Sequence, residues 1–181
     1  MNVLITGASR GVGRGIALAF ADIGARLLLT GRTLDGPLSL RESAKLVAQR
    51  GATAIPLQCD HQDRAAISAL SDSVAKSFPE GLDVLVNNVW QGNDLPDSEK
   101  PFWEQDSNEI WQKLIDGGVR AHYETTCQCI PHLKRGALVV AIGFWDNEKY
   151  AHSLVYDLAL NAINRFALGL SHELRNREHV S

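Results

Sequence analysis

The sequence predicts a doubly wound α/β fold, a parallel sheet covered by helices on both faces. Three observations carry this reading. Short apolar runs alternate with amphipathic segments along the chain. The runs are apolar at successive positions, as strands buried between two helix layers must be. A glycine-rich turn, Thr6-Gly7-Ala8-Ser9-Arg10-Gly11-Val12-Gly13, joins the first run to the first amphipathic segment.

Taken in order, Val3-Leu4-Ile5-Thr6 is strand-like, and Arg14 to Ala21 reads as a helix closed by Gly24. Leu27 to Thr30 is the second strand, and Leu40 to Arg50 is a helix closed by Gly51. Ala54 to Cys59 is the third strand, and Pro56 places it at a sheet edge because proline cannot donate to a ladder. Asp63 to Phe78 is helical, with Ile67, Leu70 and Val74 at helical spacing. Leu82 to Val86 is the fourth strand. Asp106 to about Cys129 forms a long helix with Ile110, Leu114 and Ile115 on one stripe. Ala137 to Ile142 is the fifth strand. Val155 to Leu174 is the last helix, and Val180-Ser181 reads as the first step of a sixth strand.

A length of 181 residues suits one domain, spanning residues 1–181. Lys plus Arg number 18 against 21 Asp plus Glu, which argues against a basic nucleic-acid surface or a polybasic membrane anchor. No apolar run approaches the ~20 residues of a membrane span, and the N-terminus lacks a secretion signal. Cys59, Cys127 and Cys129 do not suit a disulfide framework, so a reduced, cytoplasmic protein is expected.

In the turn after the first strand, Gly7, Gly11 and Gly13 permit a tight bend and a close backbone approach to a phosphate. The following helix start offers free N–H groups and a partial positive charge to an anion. Thr6-Gly7-x-x-x-Gly11-x-Gly13, Asn87-Asn88 after the fourth strand and Tyr156 at the head of the last helix together resemble the short-chain dehydrogenase/reductases. Lys100 to Glu104 and Val119 to Tyr123 resemble the subgroup typified by dehydrogenase/reductase SDR family member one, which also accepts an aromatic at the position of Trp90. The resemblance implies a Rossmann-like nucleotide-binding domain. Relative to that pattern the domain is incomplete at its C-terminus, lacking the last strands, and both a natural short form and a cut longer product fit.

In this fold an acidic residue ending the second strand would bind the ribose hydroxyls and repel a 2′-phosphate. Gly31 stands there instead, followed by Arg32, and Arg10 lies inside the glycine turn. Two guanidinium forks beside one phosphate imply NADP(H) over NAD(H). The resemblance further implies cofactor contacts from Gly7, Ser9, Gly11, Val12, Gly13, Thr33, Asp60 and Asn87.

The family's proton machinery uses Asn, Ser, Tyr and Lys. Matched residue by residue, Tyr156 is present, while Gly118, Gly143 and Leu160 fill the Asn, Ser and Lys positions. A phenol without such help has a pKa near ~10 and is a poor proton partner at neutral pH. Arg120 and His152 are candidate supporting residues. Trp90, Phe144, Trp145 and Tyr150 follow the fourth and fifth strands, at the carboxyl ends where this fold binds ligands, and form a candidate substrate pocket. Trp103 and Trp111 read as core or interface residues. Cys127-x-Cys129 with His132 resembles a metal cluster in print, but residues i and i+2 of a helix point apart.

Two function classes compete. One is an NADP(H)-dependent oxidoreductase transferring hydride to a small carbonyl, enone or iminium compound. The other is a catalytically depleted binding or scaffold protein of the same fold, with a non-redox cyclase or isomerase as a third. The resemblance implies a homodimer or homotetramer through the long helix and the Tyr156 helix.

Overall fold

The computed structural model describes residues 1–93, 95, 99–144, 149–150 and 153–175. Five parallel strands form one sheet: β1 (Asn2–Ile5), β2 (Arg26–Gly31), β3 (Thr53–Gln58), β4 (Leu82–Asn87) and β5 (Leu133–Ala141). Their order is β3-β2-β1-β4-β5, so the direction of winding reverses between β1 and β4. Ligands of open α/β sheets bind at the carboxyl ends beside such a switch point. Pro56 lies in β3 and pairs on one side only, opposite Leu29, in agreement with its edge assignment.

The helices are α1 (Gly11–Ala21), α2 (Leu40–Gln49), α3 (Arg64–Ser77), α4 (Ser107–Trp111), α5 (Ala121–Cys129) and α6 (Leu154–Arg175). Strand side chains alternate between two cores, as a period of two requires. Val3, Ile5, Leu27, Leu29, Val84 and Val86 pack with Ala17 and Ala21 of α1 and Leu40 and Val47 of α2. Leu4, Leu28 and Leu85 face the other way and pack with Leu70 and Val74 of α3, Phe78, and Cys129 of α5. Each helix layer therefore has its own core, and the predicted doubly wound sheet is present.

Three element boundaries depart from expectation. Helix α1 begins at Gly11, three residues early, because the glycine turn itself enters the helix. Strand β5 begins at Leu133 rather than Ala137, and its register against β4 shifts between Leu82 and Val84, with Gly136 at φ 79°. The long helix is not uniformly α-helical. Between α4 and α5, Gln112–Arg120 is wound as a π-helix, the wider coil that recurs at functional sites. Val180 and Ser181 lie outside the described residues.

Candidate functional site

The glycine turn is fixed from two sides. Ala8 N–H donates to Thr30 O (2.9 Å) and Thr6 N–H to Val86 O (3.0 Å), so the turn continues the ladders to β2 and β4. Asn88 Nδ2 donates to the carbonyls of Thr6 (2.9 Å) and Gly7 (3.1 Å). Thr6 Oγ1 accepts in return from Asn88 N (2.8 Å) and Val89 N (3.0 Å). The second asparagine of the pair thus braces the loop, a role that sequence spacing did not separate from that of Asn87. A Cβ on Gly13 would overlap Gly7 O and come within 2.5 Å of Asn88 Nδ2. A Cβ on Gly7 would meet Val89 Cα at 3.0 Å, and φ there is already 64°. Gly11, at φ 56°, faces open space with nothing within 4 Å. Arg10 precedes α1 in an extended conformation and its side chain caps no N–H. The first turn of α1 thus presents backbone donors to an anion above the glycine turn.

Around this cradle, Arg10, Val12, Arg32 and Thr33 are exposed and Ser9 is half-buried. Gly31 ends β2, and a Cβ there would lie 3.9 Å from Ser9 Oγ, so the two loops are adjacent. Asp60 accepts from Gln62 N–H (3.0 Å) in the turn after β3. Asn87 is fully buried; its Nδ2 donates to Thr126 Oγ1 (2.9 Å), and its Oδ1 has no partner among the described residues.

At the other end of the crevice, Tyr156 lies in the first turn of α6 and meets Trp90 edge to face, with ring centroids 5.4 Å apart. Trp90 is lodged between two glycines. A Cβ on Gly92 or on Gly118 would come within 2.6 Å of the indole ring, and one on Gly117 within 2.8 Å of Gln91. Gly117-Gly118 thus forms a slot that admits Trp90 and Gln91 to the π-helical backbone. Trp90 is half-buried there, in an apolar cluster with Leu114, Val119, Val155 and Tyr156.

Leu160 is buried, so its side chain leaves no polar group one turn beyond Tyr156. Gly143 follows β5, and a Cβ there would lie 2.7 Å from Asn164 Oδ1, whose Nδ2 donates to Phe144 O (3.1 Å). Phe144 and Tyr150 are exposed, whereas Trp145 and His152 lie outside the described residues. Arg120 donates to Asp116 (3.0 Å) and to Gln62 O (3.2 Å) and pairs with Glu124 (3.5 Å), so its guanidinium braces the long helix against the loop after β3. Trp103 and Trp111 are exposed, which removes them from the core. Cys127 is exposed and Cys129 buried, on opposite sides of α5.

Beneath the crevice runs a buried polar column that the sequence did not reveal. His61 bridges Thr30 Oγ1 (Nε2, 2.8 Å) and Thr125 Oγ1 (Nδ1, 2.9 Å). His122 donates through Nε2 to Val89 O (3.0 Å), which leaves Nδ1 unprotonated and, among the described residues, without a partner. Burial pushes both imidazoles down to about 4; for His61 the neighbouring His122 adds to this and Asp60 opposes it. A neutral His122 thereby anchors the strand exit beside Trp90. An apolar groove of about 390 Å³ between β5 and α6, lined by Leu138, Phe166 and Leu170, contains none of these residues.

A parallel sheet wound in this order, with a glycine cradle at its switch point, defines a Rossmann-like dinucleotide-binding fold. The chain belongs to the short-chain dehydrogenase family, whose model matches residues 1–181. It is 33% identical over 178 residues to mouse "dehydrogenase/reductase SDR family member 1", covering 95% of this chain and 55% of that protein. It therefore spans about half the length of that relative. A short-chain dehydrogenase from Burkholderia cenocepacia J2315, solved in complex with NADP, shares 25% identity at a TM-score of 0.84, over 99% of this chain and 70% of that one. An NADH-dependent reductase complexed with NAD shares the fold, with TM-score 0.83 and 19% identity over 99% and 74% of the two chains. Among the described residues no helix is long and apolar enough to cross a membrane.

Proposed function

We propose that this chain is an NADP(H)-dependent short-chain oxidoreductase acting on a small carbonyl, enone or iminium compound. The observation that carries the cofactor assignment is the pair of exposed arginines, Arg10 and Arg32, flanking adjacent loops where β2 ends in Gly31 instead of an acid. The cradle fits a dinucleotide, because Gly7 and Gly13 let the turn pack tightly on Asn88 and Val89 while Gly11 faces open space where backbone can approach a phosphate. Ser9, Val12, Thr33, Asp60 and Asn87 complete the binding set in this reading. The bound cofactor would supply the hydride. Tyr156 is then the proton partner, and the empty Gly118, Gly143 and Leu160 positions favour substrates that need little proton help, such as an iminium carbon.

A second reading, a catalytically depleted binding protein, is favoured by one observation: Trp90 fills the space where the relay's Asn would project from the long helix. Substrate-dependent NADPH consumption across an imine, enone and ketone panel separates the two. A reducing cytoplasmic setting and a dimer through the long helix and α6 belong to the first proposal.

Arg32→Asp tests the cofactor assignment. Losing one charge-assisted phosphate contact, and adding a carboxylate in its place, should weaken NADPH binding roughly 10–100-fold while NADH binding holds or improves. An unchanged ratio of the two affinities would remove the 2′-phosphate site from this loop.

A further inference from the structure

Arg14 is the one arginine of α1, and it points back under the glycine turn. Its side chain is 15% exposed, and its Nε and Nη2 are both engaged. Nη2 donates to Ser9 O (2.5 Å) and to Glu42 Oε2 (2.8 Å), with Ser39 O at 3.5 Å, and Nε donates to Ser43 Oγ (2.9 Å). Ser43, itself fully buried, donates its hydroxyl to Ala8 O (2.8 Å), with Ser9 O at 3.3 Å. The carbonyls of Ala8 and Ser9 are therefore turned toward α2.

The same carboxylate continues into the second loop. Glu42 Oε2 accepts from Leu38 N–H (2.8 Å), and Leu38, although not a glycine, has a positive φ of 54°. Such a conformation is unfavourable for a leucine and persists only where its surroundings impose it. Ser39 caps α2 by accepting from Glu42 N–H (3.2 Å), and Leu40 N–H donates to Thr33 O (2.9 Å). A continuous set of hydrogen bonds thus runs from Ser9, beside Arg10, through Arg14 and Glu42 to the segment between Arg32 and Ser39.

We propose that Arg14 is a positioning residue for cofactor choice. By clamping the glycine turn and the β2–α2 loop to each other, it sets the separation of Arg10 and Arg32 so that both reach one 2′-phosphate. The inference rests on the NADP(H) reading above. Arg14 touches neither phosphate nor reacting atoms in this scheme; it acts through Ser9, Ser43 and Glu42. Lysine cannot replace it, because an ammonium lacks the planar fork that serves three acceptors at once.

The test titrates NADPH and NADH, separately, into the unaltered chain and into Arg14→Lys, Arg14→Gln and Ser43→Ala, with thermal melting as a check of folding. Both Arg14 variants should lower the NADPH-over-NADH preference roughly tenfold while NADH affinity stays nearly constant. Ser43→Ala removes the bond from Arg14 Nε and the bond to Ala8 O but no charge, and should lower the preference about fivefold in a chain that folds normally. Equal weakening of both cofactors would mean that Arg14 only supports loop packing, and would overturn the inference. So would an intact preference in Arg14→Gln and Ser43→Ala. Equal binding of the two cofactors by the unaltered chain would instead overturn the NADP(H) reading and take this inference with it.

Discussion

Acidification from pH 7 to pH 4 should destabilise this protein by on the order of 6 kcal/mol, enough to unfold a domain of ordinary stability. The loss comes from His61 and His122. Each binds its proton near 6.5 when unfolded and at about 4 when folded. Below pH 6.5 the unfolded chain therefore carries more protons, and folding stability falls as pH falls, by about 1.4 kcal/mol per pH unit for each histidine. Their contribution is fully present above pH 6.5 and exhausted near pH 4. The cause is structural. His61 spans β2 and α5 through two threonine hydroxyls, and a charged His122 beside the β4 exit would have an unsolvated Nδ1 proton. Urea midpoints at pH 7.5, 6 and 5 check this. His61→Gln and His122→Gln should each flatten the profile, whereas a wild-type midpoint that does not move between pH 7.5 and 5 contradicts the burial argument.

Restoring the family's asparagine with Gly118→Asn should fail to restore a proton relay, and should destabilise the fold by about 1–3 kcal/mol. The slot has no room, since even a Cβ would stand 2.6 Å from the Trp90 ring, and the ring is confined on its other side by Gly92. Relief can come only from displacing the indole, which would also break its edge contact with Tyr156. The two positions are therefore coupled. In a Trp90→Ala background the same Gly118→Asn change should cost at least ~1 kcal/mol less than it does alone, as neighbours sharing one space do. A double-mutant cycle by urea unfolding measures this. Additive effects would mean that the glycine pair and Trp90 are independent, and the slot would lose its meaning.

The alternation of strands and helices, and most elements, were legible from residue patterns because they depend on local periodicity, whereas the strand order was not. Val3, Leu4 and Ile5 divide between two cores by simple alternation, and Pro56 marks an edge by what it cannot donate. The glycine cradle was legible for the same reason, as φ and close approach constrain those positions directly. What sequence alone did not show depends on distant partners. Gly118 reads as a lost asparagine until Trp90, from the loop after β4, is seen in its place. Arg14 looks like one solvated charge on an amphipathic helix, yet its partners lie on the glycine turn and α2. The Ser39–Glu42 spacing does suggest a capping box, but Glu42 directs its carboxylate to Leu38 and Arg14. His61 carries no local signal, because its burial is created by Thr30 and Thr125 from separate elements. The π-helical winding coincides with the stretch that receives the indole, and no helical period announced it.

The most direct test of the central claim is calorimetric titration of the chain with NADPH and, in a separate experiment, with NADH. The account predicts NADPH binding at about micromolar strength and NADH binding at least roughly tenfold weaker. Absence of NADPH binding, or equal affinity for both cofactors, would contradict it.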